Sequence, residues 1–433
     1  MNAATYRQLK RNESRVITLA FFRVFLVIIP IAVPFFQSRG LSMQEVFVLQ
    51  ALFSGVVLIM EVPSGYLADL IGRKHALVWG CAFIGLGHSF LLVADGFATL
   101  ALFEISLGIG ASLASGADLA LLYETERALS PGEGKRQLAV SRLFSTQTLS
   151  EAVAGVACSL LLLASMQAVV YAQVLVGWIP IIVALGLVEP PGERLSRESH
   201  AANLSLIVRH LLRDDRLLRL IFLTYCVWSL TTFYAVWMLQ KLWQQQGIDL
   251  LWFGYLWAGL TLSASISGRF AHQVEERIGS SMLLVLVGLG PVLGYLGLAW
   301  FGPVGGLVAS VSFFVSRGFG LVVLKDALNR RVPGRFRATA NSLASFGFRG
   351  SFVLTGPWVG YVLDAWGMQT TLLLLAGGSV VIFVTLVLPL LLAARSYRRK
   401  EQRREPQEHQ RPPGSVEVDG LDGLDDAAAN QRT

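Results

Sequence analysis

The chain has 433 residues, 54% of them hydrophobic and 15% charged, where soluble domains hold about 45–50% apolar and about 25% charged residues. That balance excludes an ordinary water-solvated domain and points to a chain solvated mainly by lipid. The formal charge of +7 does not signal nucleic-acid binding, because the basic residues cluster in particular loops between apolar runs. Cys81, Cys158 and Cys226 all lie in apolar runs without metal-ligand spacing, and read as small packing residues.

A bilayer core needs roughly 20 apolar residues in a helix. Runs that satisfy this lie near 16–36, 45–67, 76–93, 97–122, 137–164 and 167–188. After a polar interval come 217–242, 250–271, 281–300, 304–324, 338–363 and 369–394. The polar start through Arg15 leads straight into the first run, so no removable leader is expected. The predicted fold is therefore an all-α polytopic membrane protein, its twelve transmembrane helices forming two pseudo-symmetric six-helix bundles. The bundles are 1–188 and 217–394.

Between them, 189–216 opens with Glu189, Pro190, Pro191 and Gly192, a helix stop. Leu204, Leu206, Ile207, Leu211 and Leu212 alternate there with Arg209, Arg213 and Arg216, as in a short amphipathic helix on the membrane face or a solvated linker. The tail 395–433 is basic, then acidic, and too polar to build a core, so disorder is expected with its basic part near anionic headgroups.

Orientation follows from Lys and Arg in short loops. The loops after spans 2, 4, 8 and 10 hold Arg73, Lys74, Arg127, Lys135, Arg136, Arg277, Arg330, Arg331, Arg335 and Arg337. The opposite loops hold Arg39 with Asp95, Asp249 and Asp364. Both termini are thus expected on the cytoplasmic side, and the tight loops suit a bacterial inner membrane.

An internal repeat accompanies this layout. Arg136, Ser141 and Gly155 recur at the same spacing as Arg337, Ser342 and Gly356, at the starts of spans 5 and 11. A weaker echo, Gly268, Ala271, His272, Arg277 and Gly279, follows the segment Gly65–Leu77 by about 200 residues. Transporters commonly double a membrane unit around a midplane site.

The segment Gly65–Leu77 reads GYLADLIGRKHAL. Here the chain resembles the major facilitator superfamily, whose loop between spans 2 and 3 is approximately G-x-L-A-D-R-x-G-R-K. Gly65, Leu67, Ala68, Asp69, Gly72, Arg73 and Lys74 match, whereas Leu70 departs, and His272 replaces the acid in the second-half echo. The likeness extends over about 1–395 through the layout of spans. Gly65 and Gly72 permit close helix approach, and Asp69 suits a helix N-terminus. The resemblance implies that Asp69 latches span 11, beginning near Ala338, and that Arg73 pairs with Glu124 or Asp118. Pro63 should kink the end of span 2, leaving Glu61 at the inner mouth as a gate partner or a solvated end residue.

Ionisable residues within spans default to functional hypotheses. Arg23, Arg317 and Arg349 fall roughly mid-membrane, and Glu104 and Glu151 roughly 10 Å from the outer end, at one depth where antiparallel neighbours can share a proton. The alternative for these charges is structural pairing between helices, such as Arg142 with Asp118. The resemblance implies that spans 1, 4, 7 and 10 line a cavity, which favours Arg23, Glu104 and Arg317, with Tyr225, Trp228, Tyr234 and Trp237 available for stacking. Trp237 and Trp243 also suit interfacial anchors. Pro30 and Pro34 loosen span 1, and His88 reads as a packed polar residue. Gly356 and Pro357 lie in span 11, whereas Gly-Pro-rich antiporters of the family carry such a stretch in span 5.

The expected function is secondary transport of a small organic molecule by alternating access, driven by protons and directed to export. Uptake is the first alternative, and a non-transporting receptor of the same fold the second. No enzyme constellation, cofactor or metal spacing is present in the sequence, and a monomer in the bilayer is expected.

Overall fold

The computed structural model describes residues 3–129, 135–190, 208–333 and 337–397. Every regular element among them is helical. In chain order they are α1 Ala3–Arg23, α2 Ala32–Ser38, α3 Met43–Ile71, α4 Arg73–Phe90, α5 Phe97–Ala114, α6 Ala117–Leu129, α7 Lys135–Leu162 and α8 Met166–Leu185. There follow α9 Arg216–Gln245, α10 Leu251–Arg269, α11 Ala271–Ile278, α12 Ser280–Trp300, α13 Pro303–Arg331 and α14 Arg337–Ile382.

Eight stretches among the described residues are long and apolar enough to cross a membrane. The last, Thr339–Tyr397, turns back at Gly367, whose φ of 81° breaks α14, so it accounts for two passes. The expected spans 1, 5 and 8 coincide with α1 plus α2, α7 and α10. This is consistent with twelve passes.

The elements depart from the predicted runs at three places. Span 1 is not one helix: Val24–Ile28 are non-helical before a short turn at Ile29–Ile31. Pro30 has no backbone N–H and blocks a continuous ladder there. Gln173 accepts from the freed Ile28 N–H at 3.2 Å. Span 4 is divided at Gly116, whose φ is 75°. The loop after span 8 contains α11, in which His272 Nδ1 stands 3.7 Å from a Glu275 carboxylate oxygen.

The repeat has a backbone counterpart. Gly72 (φ 93°, ψ 153°) starts α4, and Gly279 (φ 82°, ψ 148°) starts α12, so one conformation closes the corresponding loops of both halves. Only glycine adopts that region readily.

The buried side chains form three clusters. One contains residues only from Val16 to Leu187, and a second only from Leu211 to Leu391. Both lie toward the end of the molecule that carries the α3–α4 and α13–α14 loops, here termed the basic end. The third draws on both halves, from Val27 to Ala376, and fills the opposite end. The halves are thus welded at one end and separately packed at the other.

Two helix crossings make the weld. At α7 against α10, a Cβ on Gly155 would stand 2.8 Å from the Gly254 carbonyl oxygen. Ser159 donates to Leu251 O at 2.6 Å and accepts from Tyr255 N–H at 3.1 Å. At α14 against α3, a Cβ on Gly360 would stand 2.7 Å from Gln44 Cα. Asp364 accepts from Gln44 N–H at 2.7 Å and Met43 N–H at 3.2 Å, beside the capping box of Ser42 and Glu45. A carboxylate at a helix N-terminus is favoured by the backbone dipole. Gly254→Val is expected to lower stability by about 1–3 kcal/mol through overpacking. A fall in the melting temperature of the purified protein checks this, and an unchanged value contradicts the close packing.

Candidate functional site: a cavity lined by the second half

At the basic end a cavity of about 260 Å³ opens against α9, α13 and α14. Arg317 and Lys325 supply its cations, and Tyr225, Phe233 and Phe348 its rings. Ser229, Thr232, Ser345 and Asn341 add hydroxyls and an amide. Tyr225 and Arg317 were legible in the sequence as candidates. Lys325, Phe233 and Phe348 were not, since Lys325 lies where a loop charge is expected and the phenylalanines are two of 25 in the chain.

Glu151 of α7 is exposed rather than enclosed in its own half, and its charge acts on Arg317 of α13 in the other half. A second relation of this kind joins Glu61 of α3 to Arg349 of α14. The Arg349 guanidinium lies 5.6 Å from the centre of the Phe53 ring on α3. Two acids of the first half therefore face two arginines of the second.

The other candidates take different places. Arg23, at the end of α1, donates to Asp118 of α6 at 2.6 Å and to Ala114 O at 3.2 Å. This links the two broken spans of the first half, and the cation sits at a helix C-terminus where the dipole favours it. Glu104 is buried and accepts from Gln50 at 2.6 Å, with no contact to Glu151. Trp228 is buried, donates to Val287 O at 3.2 Å and packs its ring on Gly320. It therefore braces α9 against α12 and α13 and leaves the cavity wall to Tyr225. Tyr234 bonds to Thr355 and packs between Phe47 and Phe352 in the weld. Trp237 and Trp243 are buried in the same cluster and do not sit at an interface. His88 is buried, its Nε2 3.2 Å from the Gln173 amide.

The motif loop is held from within the first half. Arg73 pairs with Glu124, one of the two acids the resemblance offered. Glu189 accepts from the Arg73 and Lys74 N–H groups at 2.9 Å each, capping α4 where Gly72 has no side chain to do so. That cap was not foreseen. Glu189 ends span 6 in sequence, and only the fold brings it to the start of span 3. Gly65 and Gly72 are in place at the end of α3. The side chains of Asp69, Arg142 and Ala338 lie outside the described residues, as do 191–207, with most of the expected amphipathic segment, and the tail from 398. Within the described part of that segment, Leu211 is buried in the second-half core.

One further contact crosses the halves at the weld. The Gln240 side chain of α9 accepts from Val33 N–H at 2.9 Å and donates to Ile29 O at 3.1 Å, clasping the broken span 1.

The family model "Major Facilitator Superfamily" matches residues 16–329, and the chain belongs to that superfamily. It is an integral, multi-pass membrane protein of a transporter family, not an enzyme. Its structure is similar to those of several solved transporters. With the nucleoside transporter NupG the TM-score is 0.72 at 13% identity, covering 87% of this chain and 98% of that one. With a bacterial homologue of the human lysosomal transporter Spinster, in an inward-facing and unoccupied conformation, it is 0.69 at 15%, covering 92% and 99%. With a D-xylose–proton symporter it is 0.63 at 13%, covering 88% and 98%. No curated protein sequence matches the chain.

Replacing Gln240 by Leu leaves the Val33 N–H without its acceptor in a buried place, at about 1–3 kcal/mol. The end opposite the basic loops should then open more often, by roughly 5- to 100-fold. Thiol labelling of a cysteine introduced at Phe47 reads this directly, and an unchanged labelling rate contradicts the clasp.

Proposed function

We propose that the protein is a proton-coupled secondary transporter of a small organic molecule, working by alternating access between bundles 1–188 and 217–394. The observation that carries this reading is that Glu151 of the first half acts on Arg317 of the second, and Arg317 lines the cavity. An exposed carboxylate can take up and release a proton. Its counter-charge belongs to the half that must move against it. The state of Glu151 therefore bears on whether the halves attract one another across the cavity.

The weld and the separate basic-end clusters support a state in which the cavity is entered from the basic end. By the distribution of Lys and Arg, that end faces the cytoplasm of a bacterial inner membrane. Closing it would bring α3 toward the basic-end part of α14. Glu61 and Arg349 are then the pair that shuts the cytoplasmic mouth, with the Gly65–Leu77 loop following α3. Arg73, Glu124 and Glu189 keep that loop rigid enough to act as part of the first half. Direction depends on whether proton and cargo occupy the site together or in turn.

Two measurements test the reading. In proteoliposomes, a transported compound from a substrate panel should accumulate only with a pH gradient. Glu151→Gln should abolish gradient-driven accumulation while keeping exchange of labelled for unlabelled cargo. Full gradient-driven transport by Glu151→Gln would remove this carboxylate from the mechanism. For the gate, Glu61→Gln should leave substrate binding intact and slow transport, and an unaltered rate would contradict the closing role.

A further inference from the structure

Arg317 is a guanidinium with five donors, yet among the described residues it makes no hydrogen bond or ion pair within contact distance. Glu151 acts on it through space alone. Lys325 lies about 12 Å nearer the basic end along α13 and is exposed. It too has no ion-pair partner among the described residues, while its neighbour Asp326 is held by Arg330 at 2.7 Å. No carboxylate among the described residues lines the cavity. A lone cation held within a membrane span is unfavourable unless something neutralises it, and an arginine fork matches a carboxylate with two parallel hydrogen bonds.

The walls add shape. Phe233 and Phe348 meet edge to face, with ring centres 5.4 Å apart and planes at 88°. Tyr225 and Phe348 belong to different helices lining the same space, so a flat apolar body finds ring surface there, beside the hydroxyls of Ser229, Thr232 and Ser345 and the Asn341 amide. A volume of about 260 Å³ falls below the roughly 300–1,000 Å³ of pockets for drug-sized ligands. It suits one ring with a short substituent.

We infer that the cargo is a small, flat organic monocarboxylate, whose carboxylate docks on Arg317 and whose body lies against Tyr225, Phe233 and Phe348. Lys325 at the mouth draws anions in and does not anchor them. The inference rests on the proton-coupled reading only for its consequence for direction.

That consequence follows from charge. Of the groups on the helices around Glu151, Arg23 of α1 and Asp118 of α6 are bonded to each other. Tyr171 of α8 and Tyr255 and Arg269 of α10 are not among the groups acting on Glu151, and Arg317 is the charge that does. With the cavity empty, ionised Glu151 balances Arg317. With an anion on Arg317, Glu151 is balanced only when protonated. Proton and anion therefore travel together, which points to uptake down the proton gradient instead of the export expected from the sequence.

The test uses the full chain in detergent and four probes: benzoate, phenyl phosphate, benzyl alcohol and benzylamine. Benzoate should raise the melting temperature and bind at least about tenfold more tightly than the alcohol or the amine. Arg317→Gln should weaken benzoate about 10- to 100-fold, and Arg317→Lys should restore part of the loss. Equal binding of benzylamine or benzyl alcohol overturns the inference, as does benzoate binding that ignores Arg317→Gln. Preference for phenyl phosphate overturns the carboxylate assignment. If Arg317→Gln does not fold, the probe ranking on the unaltered chain and on Arg317→Lys decides. The two readings fail separately. Arg317-dependent benzoate binding without any response of transport to a pH gradient removes proton coupling and leaves the cargo class. Glu151-dependent, gradient-driven transport of neutral compounds does the reverse.

Discussion

Close backbone approach at two helix crossings is the constraint on which the rest of the molecule depends. Where Gly155 meets Gly254 and Gly360 meets α3, no Cβ intervenes, and polar groups lock the contact from both sides. In lipid there is no hydrophobic drive to bring such helices together, so packing and hydrogen bonds carry the association. Because these contacts lie at one end, the basic ends of the halves are left to pack separately. The cavity lies at that end, lined by α9, α13 and α14.

The two crossings are related by the internal repeat. Gly155 and Ser159 on α7 meet the start of α10, while Gly360 and Asp364 on α14 meet the start of α3, with α7 and α14 about 200 residues apart. Acids on α3 and α7 face arginines on α14 and α13. In both cases an acid of the first half acts on an arginine of the second. On the proposed reading, a cargo or a proton changes the balance of these charges, and the weld supplies the contacts to be broken.

Much of the fold was legible in the sequence because lipid imposes long apolar runs and confines basic residues to particular loops. The motif loop was legible as well, since Gly72 must adopt a positive φ and Arg73 needs an acid nearby. The division of span 1 was only half visible. Pro30 announced a bend, but the rescue of Ile28 by Gln173 and of Val33 by Gln240 joins residues more than a hundred positions apart. The site itself was read least completely. Depth in the membrane picks out Arg317 and Glu151, yet it equally picks out Arg23 and Glu104, which the fold pairs with Asp118 and Gln50. Facing direction around a helix decides between the groups, and apolar periodicity is weak where lipid and core are both apolar. The tryptophans mislead for the same reason, because a ring near a span end is equally consistent with an interface and with a buried joint.

The central claim is that one rigid-body exchange links the two ends of the molecule. Distances between spin labels report it most directly, with one pair at His75 and Arg330 on the basic end and another at Ser165 and Gln246 on the opposite end. As the pH falls in the presence of a bound cargo, the account predicts that a population appears in which the first distance shortens while the second lengthens. If both distances stay fixed, or move in the same sense, the two ends are not coupled and the account fails.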